Sequence, residues 1–249
     1  MSGGAARTGD APRGARSRGE APRGETAQVA MILAAGRGER MRPLTDATPK
    51  PLLRVGGKPL IQYHVEALAR AGITRLVVNL AWLGEQIRDY LGDGARFGVG
   101  ITYSEERPHA LETAGGIFHA LRWLKPDPFL VVNGDIFCDL DFGALRLPET
   151  ADAHLVLVPN PPQHPAGDFG VEGAHAVPRV DGAPSFTFSG VGLYRERFFR
   201  DCTGGAFPLK PLLLRSMAAG ACTAQVHRGV WEDVGTPERL AALRLSTSQ

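Results

Sequence analysis

Short apolar runs alternate with longer stretches of helical periodicity through the first half of the chain. Residues 29–35 are apolar and stopped at once by Gly36, which predicts a short buried strand. Leu60, Ile61, Val65, Leu68 and Ala69 recur at helical spacing, and Gly72 closes that pattern, so a helix is expected over residues 60–71. Residues 75–80 read as a strand, 83–91 as a helix, 101–104 as a strand, 113–124 as a helix and 129–132 as another buried strand. This alternation predicts right-handed βαβ units, and therefore an α/β, Rossmann-like, mostly parallel sheet flanked by helices.

The second half has a different texture. A strand is expected at 154–158, followed by a loop rich in Pro and Gly at 159–167. Strand-like pieces at 168–171, 174–180 and 186–194 are separated by turns, which suggests a small antiparallel subregion. A helix at 208–219 stops at Gly220, a strand follows at 222–227, and Pro237 opens a last helix over 236–243. Residues 1–28 are rich in Gly, Ala, Arg and Pro and carry almost no large apolar side chains. Such a segment cannot bury enough surface to offset its ordering entropy, so it is expected to be disordered, with one domain spanning 29–249. Its acidic residues, and the lack of an apolar helical face, argue against a transit peptide.

Composition narrows the function classes. The chain has 249 residues, with 43% hydrophobic and 22% charged, ordinary values for a soluble globular protein. The formal net charge is +2. Five arginines against three acidic residues in positions 1–28 account for it, so the rest is near neutral. That balance makes no case for nucleic acid or an anionic membrane as partner. No apolar run approaches the about 20 residues of a membrane span, and no hydrophobic segment near the start suggests secretion. Cys138, Cys202 and Cys222 are scattered and odd in number, which reads as free thiols in a reducing cytoplasm.

The chemistry concentrates after the first strand. Gly36 and Gly38 let the backbone turn sharply and approach a ligand closely. Arg37, Arg40 and Arg42 follow, and Lys50 sits between Pro49 and Pro51. Unpaired N–H groups at the end of a strand, with cations close behind, form an anion site suited to a triphosphate. The dinucleotide fingerprint does not fit, because Met41 stands where a third glycine belongs. Asp135 follows the strand at 129–132 at its carboxyl end, where ligands of open parallel sheets bind. A carboxylate there suits Mg²⁺, which bridges to phosphates; an Asp after Asn-Gly also reads as a turn residue.

The full run Leu33-x-Ala35-Gly36-x-Gly38, then Arg40, Pro43, Thr45 and Pro49-Lys50-Pro51, resembles the signature of the sugar-1-phosphate nucleotidyltransferases. Trp231-x-Asp233-x-Gly235-Thr236-Pro237 resembles the motif that ends many of their catalytic domains. Finer matches resemble the N-acetylmuramate-1-phosphate uridylyltransferase branch: Ala81-Trp-Leu-Gly84, Leu111-Glu-Thr-x-Gly-Gly-Ile117, Val132-Asn-Gly-Asp135 and Phe188-Ser-Gly190. The resemblance runs from about residue 30 to about 243. Mannose-1-phosphate guanylyltransferases share much of the pattern, and glucose-1-phosphate uridylyl- and thymidylyltransferases stay open as alternatives.

The resemblance implies roles. Asp135 and Asp233 would hold Mg²⁺. Arg40 and Lys50 would act on the triphosphate, within a nucleotide site of Ala35, Gly36, Gly38, Glu39, Arg40, Lys50, Asn79, Glu112 and Thr113. Glu112 and Thr113 open a glycine-rich helix start that reads equally as a simple cap. Asn133, Asp168, Ser189 and Gly190 would face the sugar, although Asp168 also reads as a loop residue after Gly167. The implied substrates are UTP and N-acetylmuramic acid 1-phosphate, with the sugar phosphate attacking the α-phosphorus and pyrophosphate leaving. A catalytically silent sugar-nucleotide sensor on the same fold is the alternative from another class. Retention of all four charged residues argues against it.

Overall fold

A computed structural model of the chain describes Met1 and residues 24–247. In chain order the elements are β1 (Val29–Leu33), α1 (Leu44–Ala47), a hairpin of β2 (Arg54–Val55) and β3 (Lys58–Pro59), α2 (Leu60–Arg70), β4 (Arg75–Leu80) and α3 (Gly84–Leu91). Then come β5 (Gly100–Glu105), α4 (Glu112–Ala120), β6 (Phe129–Asn133), β7 (Ile136–Cys138), β8 (Ala153–Val158), β9 (Phe169–Glu172) and β10 (His175–Pro178). The chain continues through β11 (Thr187–Tyr194), α5 (Lys210–Ala218), β12 (Cys222–Val226), β13 (Trp231–Asp233) and α6 (Pro237–Ser246).

Successive side chains of β1 point to opposite faces, and both faces are covered. Ala30 and Ile32 enter one core with Ile61, Val65 and Leu68 of α2. Val29 and Met31 enter the other with Ala114, Ile117 and Ala120 of α4. A strand buried on both sides needs no polar position, which is why this segment reads as a continuous apolar run. Each fully buried Leu or Ile contributes about 1.5–3 kcal/mol, so the two cores hold the helices to the sheet.

One nine-stranded sheet runs in the order β5-β4-β1-β6-β11-β8-β12-β10-β9. β5, β4, β1 and β6 are mutually parallel. β11 runs antiparallel between β6 and β8, and β10 runs antiparallel to both β12 and β9. The expected mostly parallel α/β sheet is present. Its antiparallel part is continuous with the parallel part. The helix expected over 113–124 ends at Ala120 and tightens into a 3₁₀ turn at Leu121–Trp123. Among the described residues no helix is long and apolar enough to cross a membrane.

The disorder expected for residues 1–28 falls mostly on residues 2–23, which lie outside the described residues. Residues 24–28 are ordered against the domain. Glu25 exchanges two backbone hydrogen bonds of 2.9 Å with Leu147. Its carboxylate meets Arg195 Nη1 at 2.9 Å, and Ala27 joins the α2-side core. A nearly buried guanidinium needs such a partner, and these contacts hold Glu25 and Ala27 against the rest of the fold.

His64 of α2 links this scaffold to the sheet edge. Burial pushes its imidazole down to about 4. It is therefore neutral near pH 7, and Nε2 donates to the Ile136 carbonyl at 2.9 Å. The unfolded chain takes up this proton at 6.5, the folded chain only near 4. The contribution is therefore full above pH 6.5 and is lost as pH falls toward 4. Over that window the wild type should lose of the order of 3 kcal/mol through this one group. Urea unfolding of His64→Gln at stepped pH should show a shallower acid slope; superimposable slopes would refute the assignment.

Candidate active site

Every loop that matters leaves the carboxyl end of a strand. Beyond β1 the chain turns through Gly36–Gly38, where Gly38 is left-handed at φ 67°. Thr45 Oγ1 donates to the Gly38 carbonyl at 2.9 Å. Glu39–Met41 then forms a 3₁₀ turn. Met41, where a dinucleotide fingerprint wants glycine, is fully buried against Val234, Leu240 and Leu243. That packing ties the glycine loop to the chain just after Asp233 and to α6.

Arg37 fastens the loop from the other side. Its guanidinium lies 3.7 Å from the centre of the Trp82 ring, and it donates to the Thr45 carbonyl and the Asp46 carboxylate, each at 2.9 Å. Trp82 Nε1 donates to the same carbonyl at 3.0 Å. Glu39 and Arg40 therefore ride on a loop clamped to the residues that lead into α3. Loss of this clamp should weaken nucleotide positioning more than chemistry. Arg37→Ala is expected to raise KM for the nucleotide about three- to tenfold, with kcat within about threefold, on the scale of a cation–π contact plus its hydrogen bonds. Initial-rate kinetics would expose the error if kcat fell as far as KM rose.

Two adjoining cavities open at this edge. The first, of about 390 Å³, is lined by Ala35, Gly36, Gly38, Glu39, Arg40, Lys50, Asn79, Glu112 and Thr113, all expected at the nucleotide. The second, of about 880 Å³, includes Pro161–His164, Phe188, Ser189, Trp231, Asp233 and Arg239. Arg40, Asn133 and Asp135 line both. Volumes of this size suit small-molecule ligands.

Asp135 and Asp233 are distant in sequence but neighbours in space. β7 and β13 pair antiparallel, with Ile136 opposite Asp233, and the Val234 N–H donates to the Asp135 carbonyl at 3.1 Å. Each carboxylate faces one cation. Lys50 Nζ bonds Asp135 Oδ2, and Arg239 Nη1 lies 2.7 Å from Asp233 Oδ2. Lys50 is held between Pro49 and Pro51, with a side chain only 9% exposed. Arg40, by contrast, is exposed and has no hydrogen-bond or ion-pair partner among the described residues.

The donor set fits Mg²⁺. That ion keeps water and takes one or two carboxylates plus substrate phosphates, rather than an all-protein cage. Two partly exposed carboxylates, Asp135 lining both cavities and Asp233 lining the second, meet this requirement. No cluster of three or more His, Cys, Asp or Glu exists among the described residues to form a cage.

The residues expected at the sugar take different places around the second cavity. Asp168 is not among the residues lining either cavity. Its Oδ2 accepts the Phe188 N–H at 2.9 Å, and its Oδ1 lies 3.2 Å from His164 Nε2, so it braces the wall. Ser189 lines the sugar-side cavity, but its hydroxyl donates to the Val156 carbonyl at 2.7 Å and accepts from Val191. Gly190 sits in a bulge of β11 at φ 82°, where a Cβ would come within 2.5 Å of Asn133 Nδ2. It makes room for Asn133. Similarly, a Cβ on Gly116 would come within 2.4 Å of Glu106 Oε1, so that glycine makes room for Glu106.

Sequence reasoning missed Glu106. It is 3% exposed and lines the nucleotide cavity. Its Oε1 accepts from Asn79 Nδ2, and its Oε2 from the Leu111 N–H, both at 2.7 Å. Asn79 Oδ1 in turn accepts the Ala34 N–H at 2.7 Å. This relay ties the glycine loop to the segment carrying Glu112, itself left-handed at φ 57°. The signal was available: Glu106 directly follows β5, as Asp135 nearly follows β6.

Fold and site together define a nucleotidyltransferase. The family model described as nucleotidyl transferase matches residues 29–181, and the chain belongs to that family. It is 54% identical over 218 residues to an N-acetylmuramate α-1-phosphate uridylyltransferase of Neisseria meningitidis serogroup B, covering 85% of this chain and 94% of that one. It is 34% identical over 234 residues to a protein of the same name from Caulobacter vibrioides, covering 88% and 96%. Among solved structures, a putative glucose-1-phosphate thymidylyltransferase from Bacillus anthracis superposes with a TM-score of 0.76 at 22% identity, covering 88% of this chain and 94% of that one.

Proposed function

We propose that the chain transfers UMP from UTP to N-acetylmuramic acid 1-phosphate, giving UDP-N-acetylmuramic acid and pyrophosphate, in the cytoplasm and in the service of peptidoglycan recycling. The observation that carries the two-substrate reading is the pair of cavities sharing Arg40, Asn133 and Asp135. The choice of uridine and muramate rests on the 54% identity to the Neisseria enzyme. The three cysteines are free, as suits a reducing compartment.

A phosphate oxygen of the sugar bonds to the α-phosphorus, the α–β P–O bond breaks, and the electron pair leaves on pyrophosphate. The attacking oxygen is already anionic, so no side chain need remove a proton. The residues position and neutralise. Arg40, unpaired and common to both cavities, takes triphosphate oxygens. Lys50 approaches the transferred phosphoryl from its fixed place beside Asp135. Asn133 holds the acceptor at the junction. Asp135 and Asp233 would hold Mg²⁺, which when bound supplies charge neutralisation between the two phosphate groups.

The test is a substrate matrix of four nucleoside triphosphates against the 1-phosphates of N-acetylmuramate, N-acetylglucosamine, glucose and mannose, read as pyrophosphate release. UTP with muramate 1-phosphate should give the highest kcat/KM. Preference for another pair would reassign the substrates, and no release with any pair would favour a sensor.

A further inference from the structure

We infer that Arg239 takes the phosphate of the incoming sugar 1-phosphate. The inference rests on the two-substrate reading above and assigns the acceptor anion a partner within it.

Cations of the two cavities divide by place. Lys50 lines the nucleotide cavity, Arg40 lines both, and Arg239 lines the sugar-side cavity. The other basic group there, His164, faces Asp168 at 3.2 Å. Arg239 is thus the permanently charged side chain belonging to the acceptor side alone. It projects from α6 with a side chain 19% exposed, and its Nη1 lies 2.7 Å from Asp233 Oδ2. A guanidinium carries five N–H donors in a planar fork that matches phosphate oxygens in pairs, and this contact uses one.

The fork lies close against the backbone. A Cβ on Gly235 would come within 2.2 Å of Arg239 Nη2 and 2.9 Å of Cζ, so a larger residue there would push the guanidinium aside. Gly235 itself lines the nucleotide cavity. The fork, which lines the acceptor-side cavity, therefore lies against a residue of the nucleotide cavity, on the side where the acceptor phosphate has to meet the α-phosphorus. A dianionic acceptor must enter past Asp135 and Asp233. Lys50 offsets the first carboxylate from the nucleotide side, and Arg239 offsets the second from the acceptor side.

A purely supporting role, in which Arg239 only orients Asp233, gives a different pattern. Losing it would then weaken nucleotide and acceptor alike. Calorimetry on the full chain with Mg²⁺ separates the two. One titration uses α,β-methylene-UTP, and a second adds N-acetylmuramic acid α-1-phosphate to the analogue-saturated protein. Arg239→Ala should weaken the sugar phosphate about tenfold or more, and the analogue by less than about threefold, as expected for loss of a charged hydrogen bond on one ligand only. Arg239→Lys should recover part of the loss, because it restores charge without the fork. Arg239→Gln, which keeps part of the stem and two N–H donors but not the charge, should show the same selectivity and guards against a misfolded Arg239→Ala. Equal weakening of both ligands, or an unchanged acceptor affinity, would overturn the inference while the proposed reaction stands. Failure of the wild type to bind any of the four sugar 1-phosphates would bring down both.

Discussion

Asp135→Asn and Asp233→Asn each lower kcat/KM by at least about 10²-fold, on the scale of removing one preorganised charge stabiliser, while the fold persists. Asparagine keeps the size and most of the hydrogen-bonding capacity of aspartate but loses the charge that a hard cation requires. The fold should survive, because the backbones of both positions are held by the β7–β13 ladder and not by the carboxylates. Each substitution also removes a counter-charge, from Lys50 in one case and from Arg239 in the other. Arg239 is partly exposed, which limits the cost of Asp233→Asn, whereas Lys50 is buried and Asp135→Asn should lower stability more. If the two carboxylates serve one Mg²⁺, the double variant should be little worse than the poorer single, since groups acting as a unit are not additive. Manganese binding, followed by water-proton relaxation, should weaken in parallel with activity. Fully additive losses, or near-normal manganese affinity in either single variant, would separate the two residues into different roles.

The parallel half of the sheet was legible because its physics is local. Strands buried on both faces show as short apolar runs, and the helices between them show their period; Arg75–Leu80 is found where the pattern puts it. The candidate residues Asn79, near the end of β4, and Asp135, just beyond β6, were legible for the same reason, since parallel sheets bind ligands at the carboxyl ends of their strands. The same rule applied to β5 would have found Glu106. What could not be read is whatever depends on long-range pairing. β7 and β13 have three residues each, too few for any periodicity, and they meet across almost one hundred positions. Without that ladder Asp233 joins Asp135 only by resemblance. Asp168 and Ser189 show a different limit. A polar side chain near a ligand cavity can spend its hydrogen bonds inward, as both do, and residue type alone does not reveal which way they go. Arg239 went unnoticed because on a terminal helix it reads as one more solvated charge. Only the glycine beneath it and the carboxylate beside it mark it out.

Lys50→Ala should lower kcat by about 10²-fold or more, with a smaller change in KM for UTP, on the same scale as losing one preorganised charge donor. The split follows from where Lys50 sits. On the proposed reading, triphosphate binding in the ground state also draws on Arg40 and on the glycine loop, which line the same cavity, so affinity has other sources. Charge that develops on the transferred phosphoryl falls at the junction of the cavities, beside Asp135, and there Lys50 is already in place. Its backbone cannot wander, because Pro49 and Pro51 fix φ on either side and the short 3₁₀ turn Lys50–Leu52 closes behind it. Burial of its stem leaves few rotamers, so little ordering remains to be done in the transition state. Lys50→Arg tests this rigidity. It keeps the charge on a longer, planar head that the same buried channel does not fit, and it should recover less than about a tenth of the lost turnover. Full recovery by arginine would mean that charge alone matters and placement does not. Unchanged kcat in Lys50→Ala, with the effect confined to KM, would make Lys50 a ground-state binding residue and leave Arg40 as the cation acting on the transferred group.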